Sequence, residues 1–205
     1  MDTAFLITAF VTLFVVIDPI GLAPLFIAMT HDTSAQKRRA IGIRACVISI
    51  CILTVFAAFG EAVLSFIGIS MPAFRVAGGI LLFLTALDML FERRTKRRED
   101  KAEEDEGPDP SVFPLAIPLI AGPGSIATVI LLAGQKPGVE GLAVVIGIMI
   151  AVVALVFLMF LLSDVLARAL GKTGIVVVTR LLGMLLAALA TQFVLDGLRN
   201  FGFAS

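Results

Sequence analysis

The apolar residues of this chain fall into six runs of about 20 or more, at roughly 4–28, 41–66, 71–91, 112–133, 140–163 and 174–198. Each run carries few charges and is long enough to cross a hydrocarbon core of ~30 Å as a helix. None has the alternating ~10-residue pattern of an outer-membrane barrel strand. The pattern predicts an all-α integral membrane protein with six transmembrane helices. Residues 92–111 depart from it. They open with Glu92-Arg93-Arg94-Thr95-Lys96-Arg97-Arg98 and continue through Glu103-Glu104-Asp105-Glu106. Such a run has little apolar surface to bury and predicts a solvated, charged linker between residues 1–91 and 112–205.

Composition strengthens this picture. Of the 205 residues, 59% are apolar, against ~45–50% in a soluble domain, and the mean hydropathy is +1.06. Neither Trp nor Tyr occurs, so the 16 Phe are left to form any aromatic belt at the membrane surface. Sixteen basic residues balance 16 acidic ones, and nothing points to a nucleic-acid partner. His31 stands alone, and Cys46 and Cys51 are five apart, a spacing at which helical residues do not face each other. No metal-ligand cluster, cofactor motif, phosphate-binding loop or nucleophile with an evident base is present, so the chain is not expected to be an enzyme. The N-terminus carries Asp2 and no basic residue, unlike a cleaved signal peptide, and is read as the start of a retained membrane helix.

The charges also set an orientation. Lys37, Arg38, Arg39, Arg44, Arg93, Arg94, Lys96, Arg97, Arg98, Lys101, Arg168 and Lys172 fall on one side of the six runs, and Lys136 and Arg199 on the other. By the positive-inside rule the first, third and fifth connectors are cytoplasmic and both termini lie outside, in the periplasm of a bacterial cell.

The chain is related to itself. Asp18-Pro19 matches Gly122-Pro123 at an offset of 104, each pair followed within two residues by glycine, Gly21 or Gly124. Glu61 and Gly68 match Asp164 and Gly171 at 103, and Arg75-Val76-Ala77-Gly78 matches Arg180-Leu181-Leu182-Gly183 at 105. Three matches in order predict two three-helix halves. Since three is odd, the second half enters from the opposite side and is inverted, as in many secondary transporters.

Proline removes a backbone donor and glycine loosens the chain. Asp18, Pro19, Gly21 and Pro24 therefore predict a break in the first span at mid-membrane, and Gly122, Pro123 and Gly124 one in the fourth, behind Pro114 and Pro118. Broken backbone at that depth needs protein or a wet cavity around it. The restarting half-helices near Gly21 and Gly124-Ser125 present N–H groups suited to an anion. Carbonyl ends and Asp18 suit an ammonium, Asp18 could carry a proton, and Ser125 and Thr128 could donate from hydroxyls. The competing assignments are structural: packing kinks, Asp18 as a cap for the restarted helix, and hydroxyls bonded to their own helix. Glu61 with Arg75, and Asp164 with Arg180, predict two symmetry-related ion pairs, unless these four charges snorkel to headgroups.

Asp18-Pro-Ile-Gly-Leu-Ala-Pro-Leu-Phe26 and Pro114-Leu-Ala-Ile-Pro-Leu-Ile-Ala-Gly-Pro-Gly-Ser-Ile-Ala-Thr128 resemble the two signature segments of the MarC family, and the likeness extends over nearly the whole chain. The resemblance implies a bacterial inner-membrane protein, kin to transporters of small neutral amino acids and to the wider LysE-type transporters. It implies substrates such as glycine, alanine, serine or threonine, with coupling to a proton gradient. Many members carry Asn after the motif glycine, where this chain has Leu22. The partners expected are a small zwitterionic substrate, a proton or other coupling ion, and the lipid bilayer; a homo-oligomer is compatible. The alternative function is an ion or small-solute channel.

Overall fold

The computed structural model describes residues 3–30, 33–91 and 109–203, apart from the side chain of Lys172. Asp2, His31 and the charged linker through residue 108 lie outside the described residues.

The chain is helical throughout the described residues. Helix α1 (Thr3–Ile17) runs into α2 (Pro19–Thr30), and together they form one apolar span of 28 residues. Helix α3 (Ala35–Phe66) starts at Ser34, whose hydroxyl accepts the Lys37 N–H. Its 32 residues make it about 48 Å long, so its Lys- and Arg-bearing first turns reach beyond the hydrocarbon core. Helix α4 (Met71–Leu90) is capped in the same way by Ser70, with a proline in its first turn, where a missing N–H is harmless. Then follow α5 (Ser111–Ile120), α6 (Pro123–Gln135), α7 (Val139–Leu161) and α8 (Ser163–Phe201). Five helices, α1 with α2 counted as one, are long and apolar enough to cross a membrane. The pair α5–α6, bent by 54°, makes a sixth candidate span.

Two expectations need adjustment. The connector between the fifth and sixth spans is not an open loop: α8 already begins at Ser163 and is interrupted at Gly171, whose φ of 60° and ψ of 178° interrupt the helical geometry. The fourth span is not a regular helix with one break. Its first part, α5, is irregular, with extended backbone at Phe113 and Ile117, each before a cis proline. Proline disfavours helical backbone in the residue before it, so Pro114 and Pro118 account for both positions.

Side chains from α1, α2, α3, α5, α6 and α7 fill the main core, with Leu13, Leu53, Leu115, Val129 and Val153 almost inaccessible. A second core joins α4 to α8 and takes in Val15 and Val16 of α1. Glycines bring α4 and α8 close: Gly79 lies against Ala190 and Val194, and Gly183 against Ala86 and Met89. Small residues at such contacts are the usual basis of packing between helices in lipid. Large apolar side chains such as Phe59, Phe66, Ile80, Leu84 and Leu181 point outward. A bilayer is as apolar as these side chains, so this surface is suited to lipid.

The two ends of the bundle carry different polar contacts. Near the end of α2, Arg38 of α3 pairs with Asp164 of α8 at 3.0 Å, and Arg44 of α3 pairs with Asp109 ahead of α5. At the opposite end of the first span, Lys136 sits 5.6 Å from the ring centre of Phe5.

Candidate functional site

The two breaks occupy the middle of their spans, as the Pro/Gly pattern predicts. At the first, Asp18 takes a left-handed conformation, with φ of 59°. Few side chains adopt that region, and aspartate is among those that do. Pro19 follows as the first residue of α2, and Asp18 Oδ1 accepts the Gly21 N–H at 3.0 Å. The carboxylate thus caps the helix that its own proline starts, a geometry in which aspartate is strongly favoured. Gly21 permits this: a Cβ on it would lie 2.1 Å from Asp18 Oδ2. Pro24 lies inside α2, half-buried, and Asp18 is only 1% exposed.

The second break uses the same sequence grammar with a different outcome. Gly122 caps α6 with extended backbone, and Pro123 is its first residue. A glycine has no side chain to offer, so no side-chain hydrogen bond caps α6. The close approach that requires glycine is to backbone, since a Cβ on Gly122 would lie 2.4 Å from the Pro118 carbonyl oxygen. Upstream, the turns of α5 are widened, with Leu115 N–H donating to Pro110 C=O and Ala121 N–H to Ala116 C=O. Pro123 is exposed, Gly124 half-buried and Ser125 buried.

The two breaks adjoin. A Cβ on Gly124 would meet Val16, two residues before Asp18, at 3.1 Å, with Leu82 and Thr85 of α4 at 3.6 and 3.8 Å. Val16, Leu82 and Thr85 are thus neighbours of the break that no local motif singles out. Only α4's position in the fold reveals them. Ser125 and Thr128 differ in what they have left to offer. The Thr128 hydroxyl is engaged with the Gly124 carbonyl of its own helix, at 2.8 Å. The Ser125 hydroxyl forms no hydrogen bond among the described residues.

The two expected ion pairs do not form. Asp164 pairs instead with Arg38, which also donates to the Ser163 hydroxyl. Glu61 and Arg75 do not meet, and Arg75 Nε is buried without a hydrogen-bond partner. The reason is geometric. A repeat offset relates equivalent positions in the two halves, whereas contacts are set by which helix ends come together. Arg38 and Asp109 matter more than their appearance as loop charges suggests. Asp109, outside the spans, accepts the Ser111 hydroxyl at 2.6 Å and the Ser111 N–H at 3.0 Å. These two hydrogen bonds, with Arg44 beside them, hold its carboxylate below the usual range.

An apolar helical bundle, with two spans broken at adjoining points around a buried carboxylate, defines a multi-pass integral membrane protein with a polar centre. The chain belongs to the MarC family: the model of the MarC family of integral membrane proteins matches residues 3–201. It is 38% identical over 204 residues to UPF0056 membrane protein YvbG of Bacillus subtilis, covering 98% of this chain and 97% of that one. A UPF0056 membrane protein of Aquifex aeolicus is 39% identical over 198 residues, covering 95% and 92%. UPF0056 inner membrane protein YhgN of Escherichia coli is 36% identical over 194 residues, covering 95% and 96%. No solved structure matches the chain.

Proposed function

We propose that this protein is a secondary active transporter of small neutral amino acids, of the glycine, alanine, serine and threonine class. It is proton-coupled and works by alternating access around the two broken helices, rather than as an enzyme or a passive channel. The observation that carries the reading is the adjoining pair of breaks: a buried carboxylate at one, and a helix start with no side-chain cap at the other. A zwitterion needs both a negative partner for its ammonium and a positive one for its carboxylate. Asp18 supplies the first. The Gly124 and Ser125 end of α6, with its partial positive charge and the Ser125 hydroxyl, supplies the second. Close walls formed by Val16, Leu82 and Thr85 favour a small side chain.

Two inverted three-helix halves, 1–91 and 112–205, fit this reading. Both breaks pair a capping residue with proline at the first helical position, and α4 and α8 meet through glycines in each. The membrane is the inner membrane, as the name of the E. coli relative states for that protein, with both termini on the outer side. A proton bound at Asp18 would exchange with the substrate ammonium, which links substrate flux to the gradient.

The test is counterflow in proteoliposomes loaded with unlabelled alanine or glycine. Labelled alanine accumulates transiently inside, and Asp18→Asn abolishes this or shifts its pH dependence. Absence of exchange with every small neutral amino acid overturns the proposal. Unsaturable passive flux would identify a channel instead.

A further inference from the structure

We propose that Arg38 is the latch of a gate that closes one end of the bundle over the two breaks. The inference rests on the transport reading above. It concerns residues that reading leaves unused.

Four helices converge on Arg38. Its guanidinium donates to both Asp164 carboxylate oxygens, at 3.0 and 3.3 Å, and to the Ser163 hydroxyl, all at the start of α8. Its Cζ lies 5.4 Å from the ring centre of Phe26 in α2. Phe26 in turn stacks on Phe160 of α7, with ring centres 4.1 Å apart and planes 6° from parallel. Both rings are almost fully buried, at 2% and 1% exposure. Phe26 lies eight residues beyond Asp18 on the first span, about 12 Å along a helix. The stack is therefore a plug between the first break and this end of the molecule, and Arg38 ties it down from above. The contact also joins residues from both sides of the linker: Phe26 and Arg38 from one half, Phe160, Ser163 and Asp164 from the other.

The opposite end of the first span carries a surface cavity instead, of about 260 Å³, between Phe5 and Leu6 of α1 and Lys136, Pro137, Glu140 and Gly141. Two inverted halves held in the same conformation would give the bundle two equivalent ends. Here the ends differ: an arginine-tied ring stack stands at one, whereas at the other the cavity reaches no deeper along α1 than Leu6, with buried Ala9, Leu13 and Ile17 between it and the breaks. The seal is also built to release. The Asp164 side chain is 57% exposed and that of Arg38 22%, so water competes for the ion pair. The ring stack, being apolar, imposes no direction and can part when the arginine leaves.

Thiol accessibility at the second break tests the latch. Ser125→Cys is placed in a chain whose Cys46 and Cys51 are replaced by alanine, in membrane vesicles of known sidedness. A membrane-impermeant maleimide is then applied to each side in turn. With Arg38 present, labelling from the Arg38 side is slow. Arg38→Gln raises that rate by about tenfold, the shift expected when a charge-assisted contact holding one state is lost, and does not raise the rate from the other side. Should Arg38→Gln fail to reach the membrane, Asp164→Asn is read in the same way. An unchanged rate from the Arg38 side, or an equal rise from both sides, overturns the latch. Labelling needs no transported substrate, so a failure of counterflow ends the transport reading without altering this result.

Discussion

The two broken spans solve one problem in opposite ways. Each restarts a helix with a proline at its first position, Pro19 in α2 and Pro123 in α6. In the first, the residue before the proline is an aspartate that turns left-handed and caps the new helix with its own carboxylate. The backbone stays nearly continuous, since Asp18 N–H still reaches the Phe14 carbonyl and Leu22 N–H the Asp18 carbonyl. In the second, the preceding residue is a glycine, the span bends by 54°, and the helix start has no side-chain cap. The first break contains its own counter-charge. The second leaves a place for one from outside. On the transport proposal, that difference would orient a bound zwitterion, which a symmetric pair of breaks would not: carboxylate toward α6, ammonium toward Asp18.

The largest effect is expected where the second break meets rigid backbone. Gly122→Ala places a methyl 2.4 Å from the Pro118 carbonyl oxygen, which belongs to the bend itself and cannot swing away. Overpacking of that kind costs about 3 kcal/mol, and thermal unfolding in detergent should show a steep drop in melting temperature. Gly21→Ala presses instead on the Asp18 carboxylate, a side chain able to rotate. Its cost is the lost cap, about 1 kcal/mol. If Gly21→Ala proves the more damaging of the two, the contrast between a fixed bend and an adaptable cap is wrong.

Next in size is the separation of charge from cap at Asp18. Asparagine keeps an oxygen for the Gly21 N–H and tolerates left-handed backbone, so Asp18→Asn should unfold close to the native temperature while transport fails. Asp18→Ala loses both the cap and the conformational preference, and about 2 kcal/mol of stability with them. Equal melting temperatures for the two variants would show that the carboxylate contributes charge alone.

The spans and both breaks were legible in the sequence for a simple reason. Hydropathy and proline act locally, and a membrane leaves the chain few alternatives. Asp18 as a cap is one of the roles its sequence context allows, and the structure adds the left-handed turn that makes it work. The ion pairs were illegible because they are not local. Arg38 reaches Asp164, 126 residues away, across the two halves. The sequence placed both near the same membrane face without saying that they touch. Repeat symmetry suggested Arg180 as the partner of Asp164, but symmetry relates residues that resemble each other, which need not be neighbours. The walls around Gly124 were hidden for the same reason, since Thr85 is an unremarkable hydroxyl until α4 packs against α6.

A smaller effect separates the two hydroxyls of the second break. Thr128 is bonded to the Gly124 carbonyl, whereas Ser125 has no such bond. Ser125→Ala should therefore change stability by less than about 0.5 kcal/mol yet raise the apparent KM for alanine counterflow. Thr128→Val should leave that KM unchanged. The reverse order of effects would move the carboxylate site along α6.

The smallest effect lies at the anchor of the second span, for which the first has no counterpart among the described residues. Asp109 accepts two hydrogen bonds from Ser111 at the start of α5 and pairs with Arg44 of α3. These contacts favour the carboxylate over the acid, so its pKa in the folded protein lies below the ordinary value of 3.8. A depressed carboxylate stabilises the fold above its unfolded pKa, and the contribution is lost as pH falls through the folded value. At neutral pH, Asp109→Asn should lower the melting temperature slightly, because the side chain is 35% exposed and the ion pair is screened. As the pH falls through that lowered value the wild-type carboxylate protonates, the two proteins converge, and the difference closes. A difference that persists undiminished into strong acid would show that Asp109 holds α5 by shape rather than charge. The irregular half of the second span would then owe its position to its prolines alone.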